Sequence, residues 1–184
     1  MPFKQLIAMK RILTIAVLLV LAAGHFGWAS KQLTEVEKPL LVFLVRHAEK
    51  SDASRDPELS DSGKERALEL VKILRSANIA YVHSTDFIRT RETAKPTAEK
   101  FGLKTEIYNP SDLEALAQKL RNKGGIHLVV GHSNTTPEMV RILGGKPVSK
   151  IDEASEYDRL YIVRVSDENH ATSILMRYGQ PYLE

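Results

Sequence analysis

The sequence predicts an α/β fold, a three-layer α/β/α sandwich around a mostly parallel sheet. Three observations carry that expectation. Short apolar runs rich in strand formers alternate with amphipathic helical segments between residues 40 and 145. The first run, residues 40–45 (LLVFLV), is continuously apolar, as strands buried on both faces of a parallel sheet are. Beyond Gly145 the alternation stops, and two strand-like runs follow with no helix between them.

After the first strand, a helix is expected to start at Ser60 or Ser62. Glu65 stands three residues after Ser62, as in a capping box. Ala67, Leu70, Val71, Leu74 and Ala77 then keep the 3.6-residue period. Residues 80–83 read as a second strand and residues 86–101 as a second helix, stopped by Gly102. Pro96 is expected to kink or divide that helix. A third strand over residues 104–108 leads to a helix over residues 111–121, which Gly124 and Gly125 break. Residues 126–130 form a fourth strand. Thr135 or Thr136 is expected to cap the next helix, with Pro137 in its first turn and Gly144 and Gly145 at its end. Residues 159–165 and 172–177 are two strands about an Asp-Glu-Asn turn, a hairpin or a pair at the sheet edge.

Of the 184 residues, 43% are hydrophobic and 27% charged, which fits one globular domain and excludes a disordered, collagenous or polytopic chain. The absence of cysteine excludes disulfides, thiolate metal sites and cysteine nucleophiles. The formal charge of +3 resides in the first 29 residues, which hold Lys4, Lys10 and Arg11 and no acid. The remainder carries 23 basic against 23 acidic side chains and offers no footprint for nucleic acid. Lys10 and Arg11 precede an apolar run, residues 12–23, interrupted only by Thr14, and Gly27 and Ala29 stand at the −3 and −1 positions of a cleavage site. That is the pattern of a secretory signal peptide over residues 1–29, with Met9 as an alternative start. A bilayer span takes about 20 apolar residues, so no membrane span is expected after cleavage, an uncleaved anchor being the alternative. The expected organisation is a signal over 1–29, a polar lead-in over 30–39 and one domain over 40–184 of an exported, periplasmic or extracellular protein.

In open α/β sheets, ligands bind at the carboxyl ends of the strands. The first strand ends in Arg46-His47; the second delivers Ser84, then Arg89 and Thr93; the fourth delivers Gly131-His132 and enters a helix through Ser133, Asn134 and Thr135. Two guanidinium groups, two imidazoles and a helix N-terminus suit an anion, and phosphate best, because arginine's planar fork matches phosphate oxygens in pairs. An imidazole neutral near pH 7 can attack phosphorus and split one hard displacement into two.

The segments LVFLVRHAEK (residues 41–50), STDFIRTRETA (84–94) and VVGHSNT (129–135) resemble, in order, those of the histidine phosphatase superfamily, in its phosphoglycerate mutase-like branch. The resemblance implies a phosphoglycerate mutase-like fold and His47 as nucleophile. It further implies Arg46, Arg89 and His132 around the transferred phosphoryl group and no need of a metal; Ser133, at the helix start after the fourth strand, is a further candidate for the phosphate, and no cofactor is expected. The expected substrate is a small or exposed phosphorylated molecule, hydrolysed as a phosphomonoester or phosphoramidate. Two departures stand out. The family's Arg-His-Gly is Arg-His-Ala here, at Ala48. An alkoxide leaving group also needs a proton, for which Asp112 and Glu114 are candidates; each also suits a helix start, as does Glu138, and Asn109 stands where relatives have an acid. A mutase or phosphotransferase of the same family and a non-catalytic phospholigand-binding module are the alternatives. A zinc hydrolase built on His47, Glu49 and His132 is disfavoured, because Glu49 would project opposite to His47 along a continuing strand. His83, His127 and His170 read as structural or incidental, and Arg89 and Arg91 have the plainer option of pairing with Asp86.

Overall fold

The computed structural model describes residues 39–167 and 170–182. The expected signal peptide and all of the lead-in but Pro39 lie outside them. Six strands, β1 (Leu40–Arg46), β2 (Tyr81–Ser84), β3 (Thr105–Ile107), β4 (Gly125–Gly131), β5 (Arg159–Asp167) and β6 (His170–Arg177), form one sheet in the order β3-β2-β4-β1-β5-β6. The first four are parallel, and β5 and β6 join as an antiparallel hairpin beside β1. The sheet is thus mixed, its parallel half built by the alternating segments and its antiparallel edge by the two that lack a helix.

Helices α1 (Asp61–Leu74), α2 (Ile88–Phe101), α3 (Leu113–Lys123) and α4 (Thr135–Ile142) cover both faces. Because side chains alternate along a strand, β1 feeds two cores. Leu40, Val42 and Leu44 pack with Leu116 and Leu120 of α3 and Met139 and Val140 of α4. Phe43 and Val45 pack with Leu70 and Leu74 of α1 and Ala94 and Ala98 of α2. This two-sided burial is what the unbroken apolar run required.

At the helix starts, Ser60 and Asp112 fit the expectations, whereas the Ser62 box, a division at Pro96 and a Thr135 or Thr136 cap do not form. Ser60, not Ser62, caps α1, its Oγ accepting from the Gly63 N–H at 3.1 Å, so the Ser62–Glu65 box does not form. Pro96 lies inside α2 without dividing it; Thr93, Ala94, Thr97 and Ala98, all buried, hold the helix to the sheet across the lost hydrogen bond. Asp112 caps α3, accepting from Ala115 N–H at 3.0 Å. Asn134 occupies the cap position of α4; Thr135 Oγ1 accepts from the His132 N–H at 2.9 Å, and Thr136 Oγ1 donates to Val45 O at 3.2 Å. Among the described residues no helix is long and apolar enough to cross a membrane.

Candidate active site

Strand register assembles the site. Arg46 pairs with Gly131 across β1 and β4, and the His47 N–H continues the ladder to Gly131 O at 2.9 Å. His47 and His132 therefore leave neighbouring parallel strands side by side, ring centroids 5.5 Å apart. Pairing of Ser84 with Val130 brings Thr85 to the same level, where its Oγ1 lies 2.9 Å from His132 Nε2. Glycine at 131 is a packing requirement: a Cβ there would stand 2.7 Å from Thr135 Oγ1 and 2.9 Å from the Tyr108 hydroxyl. Arg89 enters from the first turn of α2. His47, Arg89, His132 and Ser133 line one cavity of about 480 Å³, together with Lys50, Phe87, Asn134, Thr135 and Glu153.

The His47 ring is 4% exposed and its Nδ1 lies 2.8 Å from Ala48 O. A carbonyl only accepts, so Nδ1 carries the proton and the Nε2 lone pair is left for an electrophile. Burial, with Arg46, Arg89 and His132 nearby, pushes the His47 pKa down to about 3. Burial, then Arg89 and Arg46, holds His132 at about 4. Thr90 Oγ1 donates to the carbonyls of Thr85 and Phe87, which leaves the Thr85 hydroxyl to donate to Thr90 and to accept from His132 Nε2–H.

Arg46 is 1% exposed and does not line the cavity. Its Nη1 donates to Asp152 O at 3.0 Å and Glu156 O at 2.9 Å, its Nη2 to Glu153 O at 2.5 Å, and Tyr157 stacks on it at 4.0 Å. Three carbonyls of the segment before β5 thus hold the guanidinium, and its buried Nε is left with no partner. Arg89 is similar: Nη1 meets Asp56 Oδ1 at 3.3 Å, the group lies 4.5 Å from the Phe87 ring centroid, and its buried Nε is unpartnered. Arg89 pairs with Asp56, not Asp86, which takes Arg91 instead. A buried donor left unmade is costly, and both sit beside the two imidazoles; the ensemble can hold an anion at a neutral nucleophilic nitrogen.

The other sequence candidates fall elsewhere. Asp112, Glu114 and Glu138 do not line the cavity; Asp112 caps α3 and Glu138 pairs with Arg141. Asn109 accepts from the Ser111 N–H within its own turn. Glu49 is gripped by Arg66, with N···O distances of 2.7 to 3.0 Å, and no group of three or more His, Asp or Glu suited to a metal ion occurs among the described residues. His83 and His127 are buried together in the sheet, 3.0 Å apart between ring nitrogens. Ala48 has no positive φ and packs with Leu59 and Ala67, so it occupies its place without backbone strain. Sequence reasoning missed Asp56, Thr85, Phe87, Tyr157 and Glu153; only Thr85, directly after the second strand, had a positional signal.

The model of the histidine phosphatase superfamily (branch 1) matches residues 42–110, the stretch carrying the first two segments. No curated protein matches the chain. Among solved structures, the protein histidine phosphatase SixA complexed with tungstate is similar, with TM-score 0.61 and 20% identity over 75% of this chain and 97% of that one. A putative alpha-ribazole-5′-P phosphatase from Escherichia coli has TM-score 0.61 and 14% identity over 75% and 96%. Mycobacterial glucosyl-3-phosphoglycerate phosphatase has TM-score 0.59 and 13% identity over 77% and 99%. At such identities these likenesses speak for the fold, which is that of the histidine phosphatases, and over residues 42–110 the sequence itself is similar to the histidine phosphatase superfamily, branch 1.

Proposed function

We propose that this protein is an exported phosphatase that hydrolyses phosphomonoesters or phosphoramidates through a phosphohistidine on His47. The observation that carries the reading is the His47 ring, its Nδ1 fixed by Ala48 O and its Nε2 free beside two arginines that each keep a buried, unpartnered Nε–H. In the first step the phosphoryl group settles against Arg89 and Ser133 beside the neutral His132 ring, and the buried Arg46 guanidinium adds its charge from behind the cavity wall. His47 Nε2 then forms the bond to phosphorus as the bond to the leaving group breaks. In the second step water displaces the imidazole, releasing phosphate and restoring the neutral ring. No step calls on a metal ion or cofactor. Export rests on the apolar run of residues 12–23 and the small residues before position 30; intact-mass measurement of the secreted protein checks it, and retention of residues 1–29 overturns cleavage.

The nucleophile is tested with p-nitrophenyl phosphate. Removing a covalent nucleophile removes the route, so His47→Ala is expected to fall to background. The native chain, quenched during turnover, is expected to hold an acid-labile phosphoryl group on His47. Substantial turnover by His47→Ala refutes the assignment.

A further inference from the structure

We propose that Glu153 is the proton donor for the leaving group and the base for the water that follows, a role that rests on the phosphohistidine reading above. Departure of an alkoxide needs a proton delivered in the transition state. The acids between the second and third segments do not supply it here: Asp112 is spent on the N–H of Ala115, and Glu114 lies off the cavity wall. Glu138 pairs with Arg141 on the surface. Asp56 is occupied by the Ile88 N–H at 2.9 Å and by Arg89. Among the described residues that line the cavity, Glu153 is the one that bears a carboxylate. No hydrogen bond or ion pair engages that carboxylate among the described residues, and it lies close enough to Arg46 to interact with its charge.

Its backbone is not loose. The carbonyls of Asp152, Glu153 and Glu156 all accept from Arg46, the residue before the nucleophile. Glu156, 2% exposed, accepts from Arg159 and from the Asp152 N–H, closing the turn that presents Glu153. A free carboxyl is thus mounted on a turn pinned to the end of the strand that carries His47, in the wall of the cavity that His47 and His132 also line. As the His47 Nε2–P bond forms and the P–O bond breaks, the Glu153 proton passes to the leaving oxygen. The resulting carboxylate takes a proton from water as that water's oxygen attacks phosphorus and the N–P bond breaks, so the enzyme returns to its starting state.

The test separates proton donation from packing. Glu153→Gln keeps the backbone carbonyl that Arg46 uses and removes only the transferable proton. The full chain is assayed with p-nitrophenyl phosphate, whose leaving group needs little protonation, and with glycerol phosphate, whose alkoxide needs it fully. The Gln variant is expected to lose on the order of 10²-fold in kcat/KM on glycerol phosphate and at least tenfold less on the aryl substrate. It is also expected to accumulate phosphoenzyme with the aryl substrate, and Glu153→Asp to regain part of the alkyl activity. Equal losses on both substrates, or a change confined to KM, overturn the role of Glu153 while labelling of His47 persists. Absence of labelling in the native chain and the variant overturns the nucleophile reading instead.

Discussion

His47 is neutral for a reason that predicts its pH behaviour. An ordinary imidazole, with a pKa of ~6.5, loses roughly 25-fold of its neutral form between pH 7 and pH 5. Burial moves His47 down to about 3, and His132 to about 4, so neither ring takes up a proton over that interval. Only the deprotonated ring attacks phosphorus, and lowering a pKa extends that form towards acid. kcat/KM on an aryl phosphate, corrected for the substrate's own ionisation, is therefore expected to hold or rise from pH 7 to 5. A fall of tenfold or more with a midpoint near 6.5 would show a solvated imidazole instead. His47, Arg89 and His132 were legible in the sequence because each follows a strand or opens the helix after one, where the fold class itself fixes position. Glu153 and Tyr157 were not, because they belong to an irregular segment more than a hundred residues from Arg46 in the chain. No period or cap signals such a contact. The resemblance raised the question of the proton donor, and only packing shows which carboxylate faces the cavity.

At the scale of elements, strands were easier to read than caps. Runs such as LLVFLV leave a single burial solution, whereas a hydroxyl at a helix start has several competing partners, as Thr135 shows by accepting from the His132 N–H. The tie that locks α1 to the site was invisible for the same reason. Arg66 on α1, 5% exposed, donates to both oxygens of Glu49, to Tyr178 O at 2.6 Å and to Gln180 O at 2.9 Å. It thereby joins the helix, the turn after His47 and the C-terminal segment. The helix lies so close to that turn that a Cβ at Gly63 would run into the Glu49 carbonyl oxygen. Arg66→Ala leaves a carboxylate and two carbonyls without their donor. The Glu49 side chain is 20% exposed, so water recovers part of the loss. The expected cost is about 3 kcal/mol, the low end for a broken buried pair, read as a lower urea midpoint. Adding Glu49→Gln is expected to return part of it, since the unpaired charge goes too; an unchanged midpoint in Arg66→Ala would mean the pair contributes nothing.

Across the whole molecule, neutral histidines gather in the middle of the sheet. His47 and His132 stand at the ends of β1 and β4. His83 on β2 and His127 on β4 are 0% exposed, their Nε2 and Nδ1 atoms 3.0 Å apart. His127 Nε2 lies 2.9 Å from Gly124 O, so it donates there and its Nδ1 accepts from His83 Nε2–H. That leaves the buried His83 Nδ1 without a hydrogen bond, 3.9 Å from a Glu106 carboxylate already held by Lys119 and Lys123. Burial, then the neighbouring His127, moves His83 to about 3, and burial also lowers His127. A histidine whose folded pKa is depressed binds fewer protons in the native than in the unfolded chain between the two values. Its contribution to stability is complete above about 6.5 and is lost as pH falls towards about 3. Glu106, held near 2 chiefly by Lys119 and Lys123 against the effect of burial, adds a loss of the same sign, but only below its ordinary carboxylate range. The interval from pH 7 to pH 5 therefore isolates the histidines, each contributing up to about 1.4 kcal/mol per pH unit. The urea midpoint is expected to fall steadily over that interval, and His83→Gln, although less stable at pH 7, to show a shallower slope. A midpoint that stays level from pH 7 to 5 would mean that the buried rings accept protons as readily folded as unfolded, which their packing between β2 and β4 forbids.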